Sequence, residues 1–204
     1  MHDQENTIPR VYPPLPFVSL PSGTGYAQPT QTSPDRVRLD SPAADVMTDL
    51  TRVTAVIVLG GDTVDEAHRR MIQRGVRLLL AVDQDRKVLG VITANDVSGE
   101  RPIQSAVQQG IHHDEVLVRD IMTPCTSLQV LDMEQVHTAR VGHIVATLKH
   151  AGRQHCLVIE QGAKGGTRLR GIFSTTQIVR QLGVPIQTIN LAHTFAEIEE
   201  QLAR

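Results

Sequence analysis

The sequence predicts an α/β protein in which one unit, ordered strand, helix, strand, strand, helix, is written twice. Three observations carry this. Asp45-Val-Met-Thr48 returns as Asp120-Ile-Met-Thr123, 75 positions on. Val64, Met71, Gly75 and Val82 align with Val141, Leu148, Gly152 and Ile159 at one common offset of 77. Gly90-Val-Ile-Thr93 returns as Gly171-Ile-Phe-Ser174, 81 positions on. The last offset grows because the turn before it lengthens: Asp83 to Gly90 spans 7 positions, Glu160 to Gly171 spans 11. Order and spacing persist together, which marks an internal duplication.

The elements of the first copy follow in order. Val53 to Val58 is rich in β-branched residues and reads as a strand. Gly60-Gly-Asp62 turns the chain. Thr63-Val-Asp-Glu66 fits a capping box, in which the hydroxyl and the carboxylate each satisfy an orphan backbone donor. Val64, Ala67 and Met71 then mark the buried stripe of a helix that Gly75 ends. Arg77 to Val82 is a strand, and Lys87 to Ile92 is its hairpin partner. Thr93 opens a second helix, and Pro102 to Gln109 reads as a connecting helix.

The second copy repeats the order. Its first strand is expected around Ser127 to Leu131, its helix from Val141 to His150, and its hairpin at Leu157–Ile159 and Leu169–Phe173. Gln161 to Gly166 is a glycine-rich hairpin turn. Ser174 opens the last helix of the unit. Residues 1–36 form a proline-rich, weakly structured arm. Residues 37–110 are the first repeat with its connecting helix, and 111–183 the second. Residues 184–204 form a tail, where Thr194 to Ala203 reads as an amphipathic helix.

Composition narrows the function. The 204 residues are 40% hydrophobic but only 2% aromatic, with no Trp. The core must therefore be aliphatic, and aromatic platforms for stacking single-stranded bases are lacking. The net charge is -2, without the basic excess a duplex binder uses to neutralise phosphates. No nucleic-acid partner is expected. No apolar run approaches transmembrane length, and the N-terminus does not read as a secretory signal. A cytoplasmic setting with no membrane partner is the expectation. Cys125 and Cys156 stand far apart and suit reduced, semi-buried thiols. The histidines are spaced too widely to converge on one zinc ion, so no metal site is expected. No nucleophile elbow, P-loop or HExxH motif is present, and no enzymatic activity is expected.

From about residue 40 to 183 the pattern resembles a tandem pair of cystathionine-β-synthase (CBS) domains, also called a Bateman module. The resemblance rests on three features in order. They are the Asp-hydrophobic-Met-Thr opening, the Gly-terminated helix leading to a strand and an acidic turn, and Gly90-Val-Ile-Thr-Ala-Asn-Asp96. It implies a pseudo-two-fold pair with two clefts between the copies and frequent assembly into dimers. A homodimer is the expectation. Members of the family often bind adenine nucleotides or S-adenosylmethionine and report to an effector protein. The candidate ligands here are AMP, ADP, ATP and S-adenosylmethionine, and no cofactor is required.

The candidate site centres on Thr93, Asn95 and Asp96. The Thr93 hydroxyl can cap the helix, and N–H groups at a helix start can hold an anion. A carboxylate at Asp96 can accept two hydrogen bonds from a vicinal diol, which a ribose offers. In the resembled family this Thr and Asp play those roles. The bland alternative is that Thr93 is only an N-cap and Asp96 only a first-turn acid. Arg77 opens the strand whose partner ends at Thr93 and suits bidentate phosphate contact; it reads equally as a surface arginine.

The second copy keeps a hydroxyl at Ser174 but places Gln177 where the acid should be, which leaves the second ribose site in doubt. His155 at the strand entrance could reach phosphate when protonated, or simply be a half-buried polar residue. Leu80 and Leu157 stand where the family commonly has proline. Val56, Leu80, Val91 and Ile92 could wall an adenine pocket, or serve only as core. Two functions therefore stand side by side. One is a regulatory module sensing an adenosyl ligand in the inter-repeat cleft. The other is a ligand-free interaction scaffold.

Overall fold

A computed structural model describes residues 36–162 and 166–183. The expected arm up to residue 35, the tail helix and half of the glycine-rich turn lie outside these residues. The first copy runs β2 (Ile57–Leu59), α1 (Val64–Arg74), β3 (Leu78–Val82), β4 (Val88–Thr93) and α2 (Ala94–Ser98), followed by α3 (Arg101–Gln109). The second runs β6 (Val130–Asp132), α5 (Met133–Thr138), α6 (Val141–Ala151), β7 (His155–Gln161), β8 (Thr167–Ser174) and α7 (Thr175–Leu182). Two short strands complete the set, β1 (Thr48–Asp49) and β5 (Thr123–Pro124), the latter preceded by α4 (Val118–Ile121).

Local chemistry accounts for the boundaries. The Thr63 hydroxyl accepts from the Glu66 N–H at 3.2 Å while Glu66 Oε2 accepts from the Thr63 N–H at 2.9 Å. Gly75 and Gly152 end α1 and α6 in the left-handed conformation at φ 62° and 60°, which glycine adopts without a Cβ penalty. Leu78-Leu-Leu-Ala-Val82 is an unbroken apolar run because both faces of β3 are covered. Leu79 and Ala81 face the helices, while Leu80 and Val82 face the other copy.

Two expectations shift. The first strand is Ile57–Leu59 and not Val53–Val58, because Arg52 and Val53 donate to the Asp49 carbonyl in a turn that delays the start of the strand. Likewise Cys125–Ser127 forms a 3-10 turn, so β6 begins only at Val130. The helix α5 had no counterpart in the repeat; Asp132 caps it by accepting from the Glu134 N–H at 2.9 Å.

The sheets are not built copy by copy. One has the order β2-β3-β4-β5, the other β1-β8-β7-β6. Each copy thus takes its outer antiparallel strand from the segment that precedes the other copy. Thr48 pairs with Ile172, and Gly90 with Pro124. The cores follow the exchange. Val116, Val118 and Ile121 pack with Val58, Met71 and Ile92, whereas Ala43, Val46 and Met47 pack with Ile144, Leu148 and Phe173. Gly90 and Gly171 mark the crossings. A Cβ at 90 would strike the Thr123 carbonyl oxygen, and one at 171 the Met47 sulfur. Among the described residues no helix is long and apolar enough to cross a membrane.

Candidate functional site

Two clefts lie where the copies meet, and they are built alike. Each places the strand-to-helix corner of one copy opposite the helix-to-strand junction of the other. The Thr93 cleft, of about 630 Å³, brings Thr93, Asn95 and Asp96 together with Gly152–His155 and Ser127–Gln129. The Ser174 cleft, of about 430 Å³, brings Ser174, Thr176 and Gln177 together with Gly75–Leu78 and Val53–Val56. Both volumes fall in the range of small-molecule pockets. Leu78 and His155, which occupy equivalent register positions opposite Thr93 and Ser174, line both clefts.

The Thr93 corner is closed on itself. Asp96 Oδ2 accepts from the Thr93 N–H at 2.9 Å and from its hydroxyl at 2.7 Å, and the Thr93 Oγ1 accepts from the Asp96 N–H at 3.4 Å. At the helix start itself the Ala94 N–H donates to the Arg77 carbonyl at 2.9 Å and the Asp96 N–H to Thr93, so two of the first three donors are already used within the chain, and α2 has only five residues. The expected anion seat at this helix start is corrected accordingly. The other oxygen, Asp96 Oδ1, faces Arg101, whose Nη1 donates to it at 2.8 Å and to the Ile121 carbonyl at 3.1 Å. Arg101 is 54% exposed, so this ion pair is solvent-screened and cheap to exchange.

The Ser174 corner is open. Ser174 makes no side-chain capping bond. Gln177 does not reach back to it, because its amide donates to Gln181 Oε1 at 3.0 Å and its carbonyl accepts from Arg180 at 2.6 Å. An acid would be drawn to the N-terminal donors of its helix; a neutral amide is not, and it bonds along the helix instead.

The remaining candidates separate. Arg77 lines the Ser174 cleft and not the Thr93 cleft, although its Nη2 reaches Asn95 Oδ1 at 3.3 Å. The expectation that Arg77 shares a mouth with Thr93 and Asp96 is corrected by the pseudo-symmetry, which seats the other copy's Arg153 and Gln154 there. Leu80 lines neither cleft; it is buried with Leu157 in the seam between the sheets. Ile92 is also core, whereas Val56 lines the Ser174 cleft and Val91 the Thr93 cleft. The His155 pKa is pulled down to about 4, first by burial and then by the charge of Arg77, against a weaker pull upward from Asp96. Near neutral pH it is an uncharged hydrogen-bonding ring. Cys156 is half-buried as expected, but Cys125 is exposed.

Sequence reasoning missed Arg101, Arg153 and Gln154. The offset of 77 places Gln154 against Arg77, so the repeat itself carried the signal for one of the three. Arg101 had no such mark.

Residues 37–101 match the family model of the CBS domain. A CBS-domain-containing protein from Agrobacterium tumefaciens shares the fold, with 20% identity and a TM-score of 0.51 over 70% of this chain and 94% of that one. The fold is that of a tandem CBS-domain pair. An uncharacterised conserved protein from Pyrococcus horikoshii is similar in fold to this chain at 21% identity and a TM-score of 0.52, covering 75% of this chain and all of the other. The CBS-pair protein CBSX2 from Arabidopsis thaliana, whose structure was solved in complex with AMP, aligns at 21% identity with a TM-score of 0.49, covering 69% and 94%. No curated protein matches the sequence.

Proposed function

We propose that this CBS pair is a regulatory module that senses an adenine nucleotide or a related adenosyl ligand in the Thr93 cleft and passes the signal through a homodimer or effector-protein interface. The observation that carries the reading is the Thr93–Asp96 corner facing Arg153, Gln154 and the neutral His155 across one cavity. The capping box holds the carboxylate in a fixed orientation. Its second oxygen is masked only by the exchangeable Arg101, so a ribose diol can take that oxygen and leave Arg101 free for phosphate. Val91, Leu128 and Leu157 supply the apolar wall a base needs. Binding then acts as a population shift, through whatever difference in affinity the two states of the interface have for the ligand.

Thermal unfolding with AMP, ADP, ATP and S-adenosylmethionine tests this on the full chain and on Asp96→Ala. At a ligand concentration of 100 Kd the expected stabilisation is about 2.7 kcal/mol, or about 5–10 °C for a chain of this size. The rise should vanish in Asp96→Ala. A flat response to every adenosyl compound would remove the reading.

A second reading, the ligand-free scaffold, draws on the turned-away Gln177 and on exposed apolar residues of α3. Ile103 and Val107, one turn apart, are 60% and 77% exposed. Sedimentation of the chain with and without each adenosyl compound separates the two. A scaffold keeps one assembly state throughout, while a sensor changes state or stability with one of them.

A further inference from the structure

The Asp96 carboxylate can be counted bond by bond. An ionised carboxylate offers about four acceptor positions, two on each oxygen. On Oδ2 both are filled, by the Thr93 N–H at 2.9 Å and the Thr93 hydroxyl at 2.7 Å. On Oδ1 one is filled, by Arg101 Nη1 at 2.8 Å. A single position is left. A ribose diol brings two donors, so it cannot settle on Asp96 while Arg101 stays. Thr93 does not yield in its place, because both of its donors belong to the cap that starts α2. Arg101 is a long side chain, 54% exposed, and is the group that can move.

Moving it has a cost that depends on the ligand. Arg101 is the first residue of α3, and its Nη1 also donates to the carbonyl of Ile121, the last residue of α4, at 3.1 Å. One guanidinium thus ties α2, α3 and α4 together. Among the described residues Asp96 is its one ion-pair partner. Asp96 is also the sole acid among the residues lining the cleft, where Arg153 stands as a second cation. Once a diol holds Oδ1, the displaced guanidinium faces a cavity with another guanidinium and no free carboxylate oxygen. Only an anion on the ligand itself can then complete the charge, and a phosphate suits a guanidinium fork.

We infer that Arg101 is the specificity-determining residue of the Thr93 cleft: it occupies the acceptor a ribose diol needs, and so selects adenine nucleotides over neutral or cationic adenosyl compounds. The inference rests on the nucleotide reading of that cleft and narrows it. A nucleotide exchanges one ion pair for another, its ribose taking Asp96 and its phosphate taking Arg101. Adenosine breaks the pair and replaces nothing. S-adenosylmethionine, with a net positive charge, fares no better.

The test is isothermal titration of the full chain and of Arg101→Met, which keeps the aliphatic stem and removes the charge. The ligands are AMP, adenosine, 2′-deoxyadenosine and S-adenosylmethionine. Adenosine should bind Arg101→Met about threefold more tightly than the parent, since no exposed ion pair has to break. AMP should bind it about tenfold more weakly, having lost a charge-assisted contact. The preference for AMP over adenosine therefore falls by about thirtyfold. The parent alone carries a second check. There 2′-deoxyadenosine, which needs only the open position, should bind at least as tightly as adenosine; in Arg101→Met the order should reverse. An unchanged preference in Arg101→Met would overturn the inference and point to Asp120, which lines an adjoining groove with Arg101, as a second berth for the guanidinium. Equal losses for AMP and adenosine would overturn it by making Arg101 only a brace between helices. So would S-adenosylmethionine binding the parent as tightly as AMP. Silence of both proteins toward every compound would instead remove the nucleotide reading, and the inference with it.

Discussion

Thr93 and Ser174 occupy the same place in two copies of one unit, yet their corners behave differently. At Thr93 an acid three residues on closes a reciprocal box and fixes a carboxylate at the cleft mouth. At Ser174 the neutral Gln177 bonds along its own helix and leaves the hydroxyl uncapped. One difference in charge therefore changes the cap and the electrostatics together. Duplication supplies the frame twice, and a single side chain decides how each corner closes.

The comparison can be broken hardest at the strand crossings. Gly90→Ala pushes a Cβ into the rigid Thr123 backbone, whereas Gly171→Ala meets the flexible end of Met47. The first should cost about 3 kcal/mol and the second about 1 kcal/mol, read as urea midpoints; equal losses would mean that the two crossings give way alike. Next comes the anchor of β1. Asp49 accepts from the Thr51 N–H and hydroxyl at 2.8 and 2.6 Å and pairs with the largely buried Arg170. Burial alone would raise its pKa, but these bonds outweigh it and hold the carboxyl low. Asp49→Ala should cost about 2–3 kcal/mol, since it leaves Arg170 without its nearest counter-charge; an unchanged midpoint would show that Glu160, 3.5 Å from Arg170, suffices.

His155 gives a pH-dependent version of the contrast. Its folded pKa of about 4 lies below the ordinary 6.5. The unfolded chain therefore takes up a proton first as pH falls. The stabilisation is complete above pH 6.5 and is lost as pH drops toward 4, amounting to about 2 kcal/mol by pH 5. His155→Gln should flatten that part of the stability profile relative to the parent chain. Parallel profiles would show that the imidazole titrates freely. The smallest effect is at the caps. Thr93→Ala should cost about 1 kcal/mol, while Ser174→Ala, with no capping bond to lose, should be close to neutral in the same denaturation experiment.

Features that arise from near neighbours were legible in the sequence. The Thr63–Glu66 box, the glycine helix ends and the Thr93–Asp96 pair are each set within four residues, so the pattern of residue types specifies them. What was not legible depends on the copies crossing. Arg77 moved to the other cleft because pseudo-symmetry, not sequence proximity, chooses the partner of Thr93. Leu80 went to the seam because both faces of β3 are buried, which a run of apolar residues announces without saying which face meets a ligand. The strand exchange was invisible because β1 and β5 are two residues long and their partners lie on distant hairpins. Asp96 meeting Arg101 was hidden too, since the pair spans the break between two helices rather than one helical turn.

The strand exchange also governs how the chain comes into being. The first copy lacks its outer strand until residues 123–124 have been made, and β1 waits for β8, which begins at Thr167. Pairings of such long sequence separation slow folding, because a large loop must close before any contact rewards it. The first sheet has all its strands once residue 124 is made, whereas the second, which needs both β1 and β8, closes only near the end. Cutting between the copies would not yield two smaller proteins, since each fragment would carry away a strand that belongs to the other.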